Sequence, residues 1–346
     1  LLSSERYMLA LVEPIYMRIE RALDLLGEMD LECGIVLKPE NIFYLTGFEP
    51  TSRTILLLKD SPLLMVSEMD ASLAKKTPLD VKTVKSLKRA LKIRYKNVGV
   101  EKDVMSLKFQ ERHLKGKKAF DMEFLGKMRM VKDKEEIKHI IKAARISDAV
   151  MGEVQSMLGG GKTERGCVAE IEFLIKTWAE PAFDVIVAGG ENSAIPHHKP
   201  TKKAVDINYP TIVDLGARVN GYHTDMARTF FSDLTKGFGE IYRIVLEAQK
   251  AGIKECYEGN SLKNPDIEVR KVLREYGLEK FLLHSTGHGV GLEIHEPPNI
   301  GKRANGKFEK GMVVTIEPGV YRDFGVRIED MVLVGKRPKV LTKSKK

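Results

Sequence analysis

Residues 284–298, HSTGHGVGLEIHEPP, set His288 and His295 seven positions apart in a run containing Gly287, Gly289 and Gly291. So many glycines make a helix improbable, and a regular strand would send the two rings to opposite faces. If both rings serve one site, the strand must bulge or bend at a glycine. Acids supply the rest of a reactive set. In TIVDLGARVNGYHTDMARTFF, Asn220-Gly221 marks a two-residue hairpin turn. That register pairs Val219 with Tyr222, Asp214 with Ala227, and Asp225 with Gly216. Asp214 and Asp225 then share a face as diagonal neighbours, about 7–8 Å apart at the backbone. The small Gly216 beside them leaves room for a cation; the alternative is a pair of solvated hairpin acids.

VVTIEPGVYRDFGVRIEDMVLV reads as a second hairpin. Glu317 and Glu329 have the same parity, so an odd-length loop near 323–325 puts both on one face together with Arg327. An ionised carboxylate in so apolar a strand is costly unless paired or bound to metal. One acid could pair with Arg327, but two acids require further positive charge. Asp214, Asp225, Glu317, Glu329 and one histidine form an oxygen-rich set with a single imidazole. Such a set suits Mn²⁺, Co²⁺ or Fe²⁺ better than a thiolate-built structural zinc. Four carboxylates balance two divalent ions, which in hydrolases typically lie about 3.5–4 Å apart and acidify a shared water.

The elements that position these groups follow from pattern along the chain. A length of 346 residues argues for two domains. Residues 14–29 have the spacing of an amphipathic helix, while CGIVLKP, TILLLKD and NVGVEKD read as strands. PLLMVSEMDASLAKK reads as strand then helix, and VKTVKSLKRAL as a helix. The alternation predicts a small α/β domain over residues 1–124, without a cluster of catalytic groups. Over residues 125–346, Lys132–Met157 reads as one long helix, and Thr163 caps a second running to about Trp178. GGGKT at 159–163 is a glycine-rich helix end, because Ser156 stands where a phosphate loop needs glycine. Beyond Trp178 strands and hairpins dominate, with helices near 239–256 and 264–276.

Composition narrows the class. With 43% hydrophobic residues the chain can build a substantial core. Cys33, Cys167 and Cys256 form no Cys-x-x-Cys pair, which excludes a cysteine-built zinc site and fits a reducing compartment. The net charge of +9 comes from scattered lysines without interleaved aromatics, so no nucleic-acid partner is expected. No apolar run approaches the roughly 18 residues needed to span a bilayer. The first residues lack the features of a signal peptide, so the expected location is cytoplasmic, with no membrane partner.

SAIPHH, VDLGARVNGYHTDMART, STGHGVGLEIHEPP, VTIEPGVY and GVRIEDMVLV follow one another along the chain. In these blocks, their order and their spacing the sequence resembles the Xaa-Pro metallopeptidase family of prolidases and aminopeptidase P. The resemblance covers nearly the whole chain, including a linker helix after LGKMRMVKDKEEI. It implies an α/β (α+β) architecture with a creatinase-like N-terminal α/β domain, residues 1–124. A pita-bread catalytic domain follows, residues 125–346, with a curved, mostly antiparallel sheet flanked by helices. It also implies two divalent ions per chain, Mn²⁺ or Co²⁺ foremost and Fe²⁺ or Zn²⁺ as alternatives. Asp214 would hold one ion, Asp225 and Glu329 would bridge both, and His288 and Glu317 would complete the second. His197 and His295 would contact substrate, Arg327 would orient carboxylates or substrate, and Glu317 would also move the proton. His198 has no matching role and is read as incidental. The implied activity is hydrolysis of Xaa-Pro bonds in short proline-containing peptides by a homodimeric Xaa-Pro dipeptidase. The alternatives are an aminopeptidase P acting on longer peptides and, more remotely, a non-catalytic pita-bread binding protein. One departure stands out: Asn299 occupies a place where many prolidases carry a basic residue, with Lys302 and Arg303 shortly beyond.

Overall fold

The computed structural model describes residues 4–232 and 237–346. The chain divides into two compact units, Leu1–Arg129 and Met130–Lys346. The boundary expected at 124/125 falls at the first residue of the helix Phe124–Met130, and the division falls near that helix's end.

The first unit is built on a sheet of Cys33–Val36 (β1), Ile55–Leu58 (β2), Leu63–Val66 (β3), Asp80–Thr83 (β4), Asn97–Val100 (β5) and Lys118–Asp121 (β6). Their order is β4-β3-β2-β1-β5-β6. The central strand β1 is buried along its whole length, as the unbroken apolar run CGIV requires. Gly34 and Gly99 are register partners in β1 and β5, and a Cβ at either would press on Leu26 and Met122. Glycine there lets the helix Ser4–Glu28 lie close against the sheet. VKTVKSLKRAL departs from the expected helix: its first part is β4, a mostly exposed edge strand parallel to β3, and only Leu87–Ala90 is helical. An edge strand accommodates the charged side chains that helical periodicity also fits.

The second unit holds Glu180–Pro181 (β7), Ile186–Gly189 (β8), Thr211–Leu215 (β9), Ala217–Val219 (β10), Tyr222–His223 (β11) and Met226–Phe230 (β12). It continues with Gly287–Gly289 (β13), Glu296–Ile300 (β14), Val313–Ile316 (β15), Gly319–Tyr321 (β16), Gly325–Arg327 (β17), Asp330–Leu333 (β18) and Lys339–Val340 (β19). All pairings between these strands are antiparallel. They form the ladders β11-β10-β7, β12-β9-β8, β14-β13-β15-β18-β19 and β16-β17. Asp133 caps the helix Lys134–Met157 through a capping box with Glu136, and Thr163 caps Glu164–Trp178 by accepting from the Gly166 amide. Between them Gly159, Gly160 and Gly161 all have positive φ, the conformation in which glycine is cheapest. Phe238–Lys254 and Asn264–Glu275 supply the two later helices.

Strand alternation sorts the second unit into two faces. Val187, Val213 and Leu215 pack into a core with residues of the two long helices, among them Val150, Val154, Ile171 and Ile175. Val320, Val326 and Ile328 pack with Val245, Ala248, Val269 and Leu273 of the later helices. Each of these buried valines, leucines and isoleucines stabilises the fold by about 1.5–3 kcal/mol. The opposite parity carries Asp214, Glu317, Arg327 and Glu329 to the inner face. No helix of the described residues is long and apolar enough to cross a membrane.

Candidate metal centre and substrate pocket

The first hairpin has the register that its Asn-Gly turn predicts: Val219 faces Tyr222 and Ala227 faces Asp214. Asn220 and Gly221 both take positive φ at the turn. Gly216 does not, however, provide the space for a cation. A Cβ there would collide with the Thr224 carbonyl and crowd Ala182 and Phe183, so glycine serves a backbone crossing. The second hairpin pairs Ile316 with Asp330 and Gly319 with Arg327 around the loop 322–324. That register, carried through the gap, sets Glu317 across from Glu329. The two hairpins meet where the Glu329 amide donates to the Ala227 carbonyl at 3.1 Å.

The histidine strand breaks at the glycine. β13 pairs with β14 through His288↔Asn299 and then Gly289↔Glu296, with a register shift between His288 and Gly289. A Cβ on Gly289 would collide with the carbonyls of Glu296 and Pro297, so the bulge requires glycine. It brings the His288 and His295 rings to 4.1 Å between centroids. The loop between them is held by a buried ion pair, Lys132 Nζ to Glu296 Oε1 at 2.8 Å.

The acids converge. Ligand atoms of Asp214, Asp225 and Glu329 lie within 4.8 Å of one another, as do those of His288, Glu317 and Glu329. A third such triad joins Asp225 and His288 to His295, so proximity alone also admits His295 as a ligand. His288 Nε2 lies 3.4 Å from Glu317 Oε1 and 3.6 Å from Asp225 Oδ2. Burial, and then repulsion from Asp214 and Glu317, hold the Asp225 carboxyl well above the ordinary range; burial and Asp225 do the same to Glu329. Burial also raises Asp214, against the pull of Arg327, and pushes Glu317 up to about 8. Burial and the neighbouring His295 bring His288 down to about 4, which leaves a neutral ring able to donate a lone pair. Arg327 Nη2 pairs with Asp214 Oδ2 at 2.5 Å, yet Asp214 Oδ1 and Glu329 Oε1 are buried with no hydrogen-bond partner among the described residues. Burying an unpaired carboxylate costs several kcal/mol, more than one neighbouring aliphatic returns. One guanidinium cannot offset the four acids gathered here. The donor set, orphaned oxygens included, fits divalent cations.

A cavity of about 450 Å³ opens beside this centre, lined among others by His197, His284, His288, His295, Asn299, Glu317 and Arg327. Lys302 and Arg303 are exposed and are not among the residues that line it. Sequence reasoning missed His284, although it opens the same histidine stretch. Its Nε2 lies 2.9 Å from the Tyr321 hydroxyl, and burial lowers it to about 4. His198 is not incidental. It is buried, with Nε2 2.9 Å from Glu164 Oε2, a pairing with no local sequence signature.

Two family descriptions match this architecture: metallopeptidase family M24 over residues 138–336 and the creatinase/prolidase N-terminal domain over residues 18–131. The chain belongs to metallopeptidase family M24, with the pita-bread catalytic fold. It is 36% identical to the Xaa-Pro dipeptidase of Pyrococcus furiosus over 344 residues, 95% of this chain and 98% of that one. An uncharacterised peptidase of Methanocaldococcus jannaschii is 39% identical over 334 residues, 92% of this chain and 93% of its own length. Among solved structures, the prolidase from Pyrococcus horikoshii OT3 superposes with a TM-score of 0.92 at 33% identity, covering 95% of this chain and 99% of that one.

Proposed function

We propose that the protein is a two-metal Xaa-Pro dipeptidase. The observation that carries this reading is the convergence of three buried carboxylates, the part-buried Glu317 and His288, two of the buried acids having an oxygen with no partner among the described residues, beside a histidine-lined pocket that Glu317 and His288 help to line. Asp214 would hold one ion, Asp225 and Glu329 both, and His288 with Glu317 the other, in keeping with two ligand triads that share Glu329. Mn²⁺ or Co²⁺ suits this oxygen-rich set, with Fe²⁺ or Zn²⁺ as alternatives. When bound, the ions supply Lewis-acid polarisation of the scissile carbonyl and a water acidic enough to attack near neutral pH.

The chain's own groups do the rest. His197 and His295 stand at the pocket wall to donate to the carbonyl oxygen as charge grows on it. Glu317 takes the proton given up by the attacking water and passes it to the proline nitrogen. Arg327 fixes Asp214 while donating to the Pro196 carbonyl at 3.1 Å and the Tyr321 hydroxyl at 3.3 Å. A homodimer and a reducing cytoplasmic setting belong to the same proposal. The open edges of the N-terminal sheet at β4 and β6 favour the first, and the free, buried cysteines the second. Light scattering tests the dimer.

A second reading, an aminopeptidase acting on longer peptides, is favoured by the shortage of a free cation among the described residues that line the pocket. A dipeptide's free carboxylate needs a positive partner when buried. Asn299 supplies none, Lys302 and Arg303 are not among the lining residues, and Arg327 is engaged with Asp214. The test is kcat/KM for Ala-Pro against Ala-Pro-Ala on one metal-loaded sample. A preference for Ala-Pro is expected, and a strong preference for the tripeptide would replace the first reading by the second.

A further inference from the structure

His197 lines the pocket, and the next residue, His198, is not among the lining residues. The segment 189–201 leaves β8, makes a short 3₁₀ turn at Gly190–Ala194 and reaches His197 with its side chain exposed. Glu164, the first residue of a long helix and fully buried, gathers this segment around one carboxylate. Oε1 accepts from the Gly189 amide at 2.9 Å and from Asn192 Nδ2 at 2.8 Å. Oε2 lies 2.9 Å from His198 Nε2 and accepts from the Thr201 amide at 2.8 Å and hydroxyl at 2.7 Å. Burial alone would raise this carboxyl, but the bonds from Asn192, Gly189, His198 and Thr201 hold it at about 2. It is therefore an acceptor only, and His198 Nε2 carries the hydrogen. On the other side of His197, the Pro196 carbonyl is held by Arg327, whose guanidinium pairs with Asp214. Ser193 adds a third tie by accepting from the Gly325 amide at 2.8 Å.

His197 is thus the single residue between two anchored positions, one tied to the acid centre and one to Glu164. We propose that the His198–Glu164 pair is a positioning device that fixes where His197 stands over the substrate carbonyl. The inference rests on the reading of His197 as a substrate-contacting group. With the second anchor gone, backbone around His197 would have to be ordered each time substrate binds. Ordering one residue costs roughly a factor of ten in affinity.

A double-mutant cycle tests this with Ala-Pro as substrate. His198→Ala is expected to lower kcat/KM by about tenfold, with metal content unchanged and faster amide hydrogen exchange across 189–201. His198→Gln keeps a donor for Glu164 and should restore most of the loss. In a His197→Ala background the same His198→Ala change should cost less than about twofold, because the group it positions is gone. A full tenfold loss in that background, or loss of metal from the single variant, would overturn the proposal. If His198→Ala fails to fold, Thr201→Val removes one bond to the same carboxylate and must show the same non-additivity with His197→Ala, or the proposal fails. A His197→Ala enzyme with unaltered kcat/KM would instead remove the reading of His197 itself, and with it this inference.

Discussion

Carboxylates at two places in the catalytic unit have opposite surroundings. Glu164 receives five hydrogen bonds from the segment that carries His197, and its carboxyl is held far below the ordinary range. Asp214, Asp225, Glu317 and Glu329 face one another; burial raises all four, and repulsion from neighbouring acids adds to it at Asp225, Glu317 and Glu329. The first arrangement is complete as it stands and does structural work. The second sets the Arg327 guanidinium against four acids, too little positive charge for an ionised cluster without cations among its oxygens. A buried acid therefore says little about function until its partners are counted.

The largest test of that contrast is Asp225→Asn. If Asp225 holds both ions as proposed, removing its carboxylate should lower kcat by about a thousandfold or more and release metal. His198→Ala, at about tenfold, should be far milder. Comparable losses in the two variants would erase the distinction between the regions. Metal removal comes next. Exhaustive chelation should abolish cleavage and lower the Tm, since an ion at about 100 times its Kd stabilises the native state by about 2.7 kcal/mol. Cleavage that survives chelation would end the two-metal reading. Adding Mn²⁺ to weakly buffered apoprotein at pH ~7 should also acidify the solution. Glu317, held at about 8 without a cation, must lose its proton on binding. An unchanged pH would count against Glu317 as a ligand.

His295→Ala should leave metal content intact and lower kcat by about a hundredfold, the cost of one donor to a developing oxyanion. If metal is lost instead, the triad of Asp225, His288 and His295 is the ligand set in use. The smallest effect concerns Glu164 and is one of stability. Glu164→Gln should destabilise the unit by about 1–3 kcal/mol at neutral pH, because an amide cannot accept all five donors. The sign of its pH dependence follows from a folded value of about 2 against an ordinary 4.5. The carboxylate contributes fully above the ordinary value, and its contribution is lost as pH falls from 4.5 through 2. Urea melts of wild type and Glu164→Gln should therefore converge over that range. A gap that stays constant would show that Glu164 is not held as an anion.

Much of this centre is legible in the sequence because its geometry is local. A strand has a period of two, and an Asn-Gly turn or an odd loop sets which residues face each other. Spacing alone therefore assigns Asp214, Asp225, Glu317, Arg327 and Glu329 to common faces, and the structure has those registers. The glycine after His288 likewise marks where the strand must bend. Other features have no local period to betray them. The helical spacing of VKTVKSLKRAL is overridden by an open sheet edge, where β4 pairs with β3. Gly216 has the look of space for an ion and is in fact clearance for a crossing backbone. His198 meets Glu164 across 34 residues, and Lys132 meets Glu296 across 164. Such pairs form only when distant segments have packed, and nothing in the spacing of either partner records the other. Sequence by itself determined which side chains point the same way, since that is a property of each strand and turn. Which of them meet, and which carboxylates find enough partners to stand without a metal, only the tertiary structure decided.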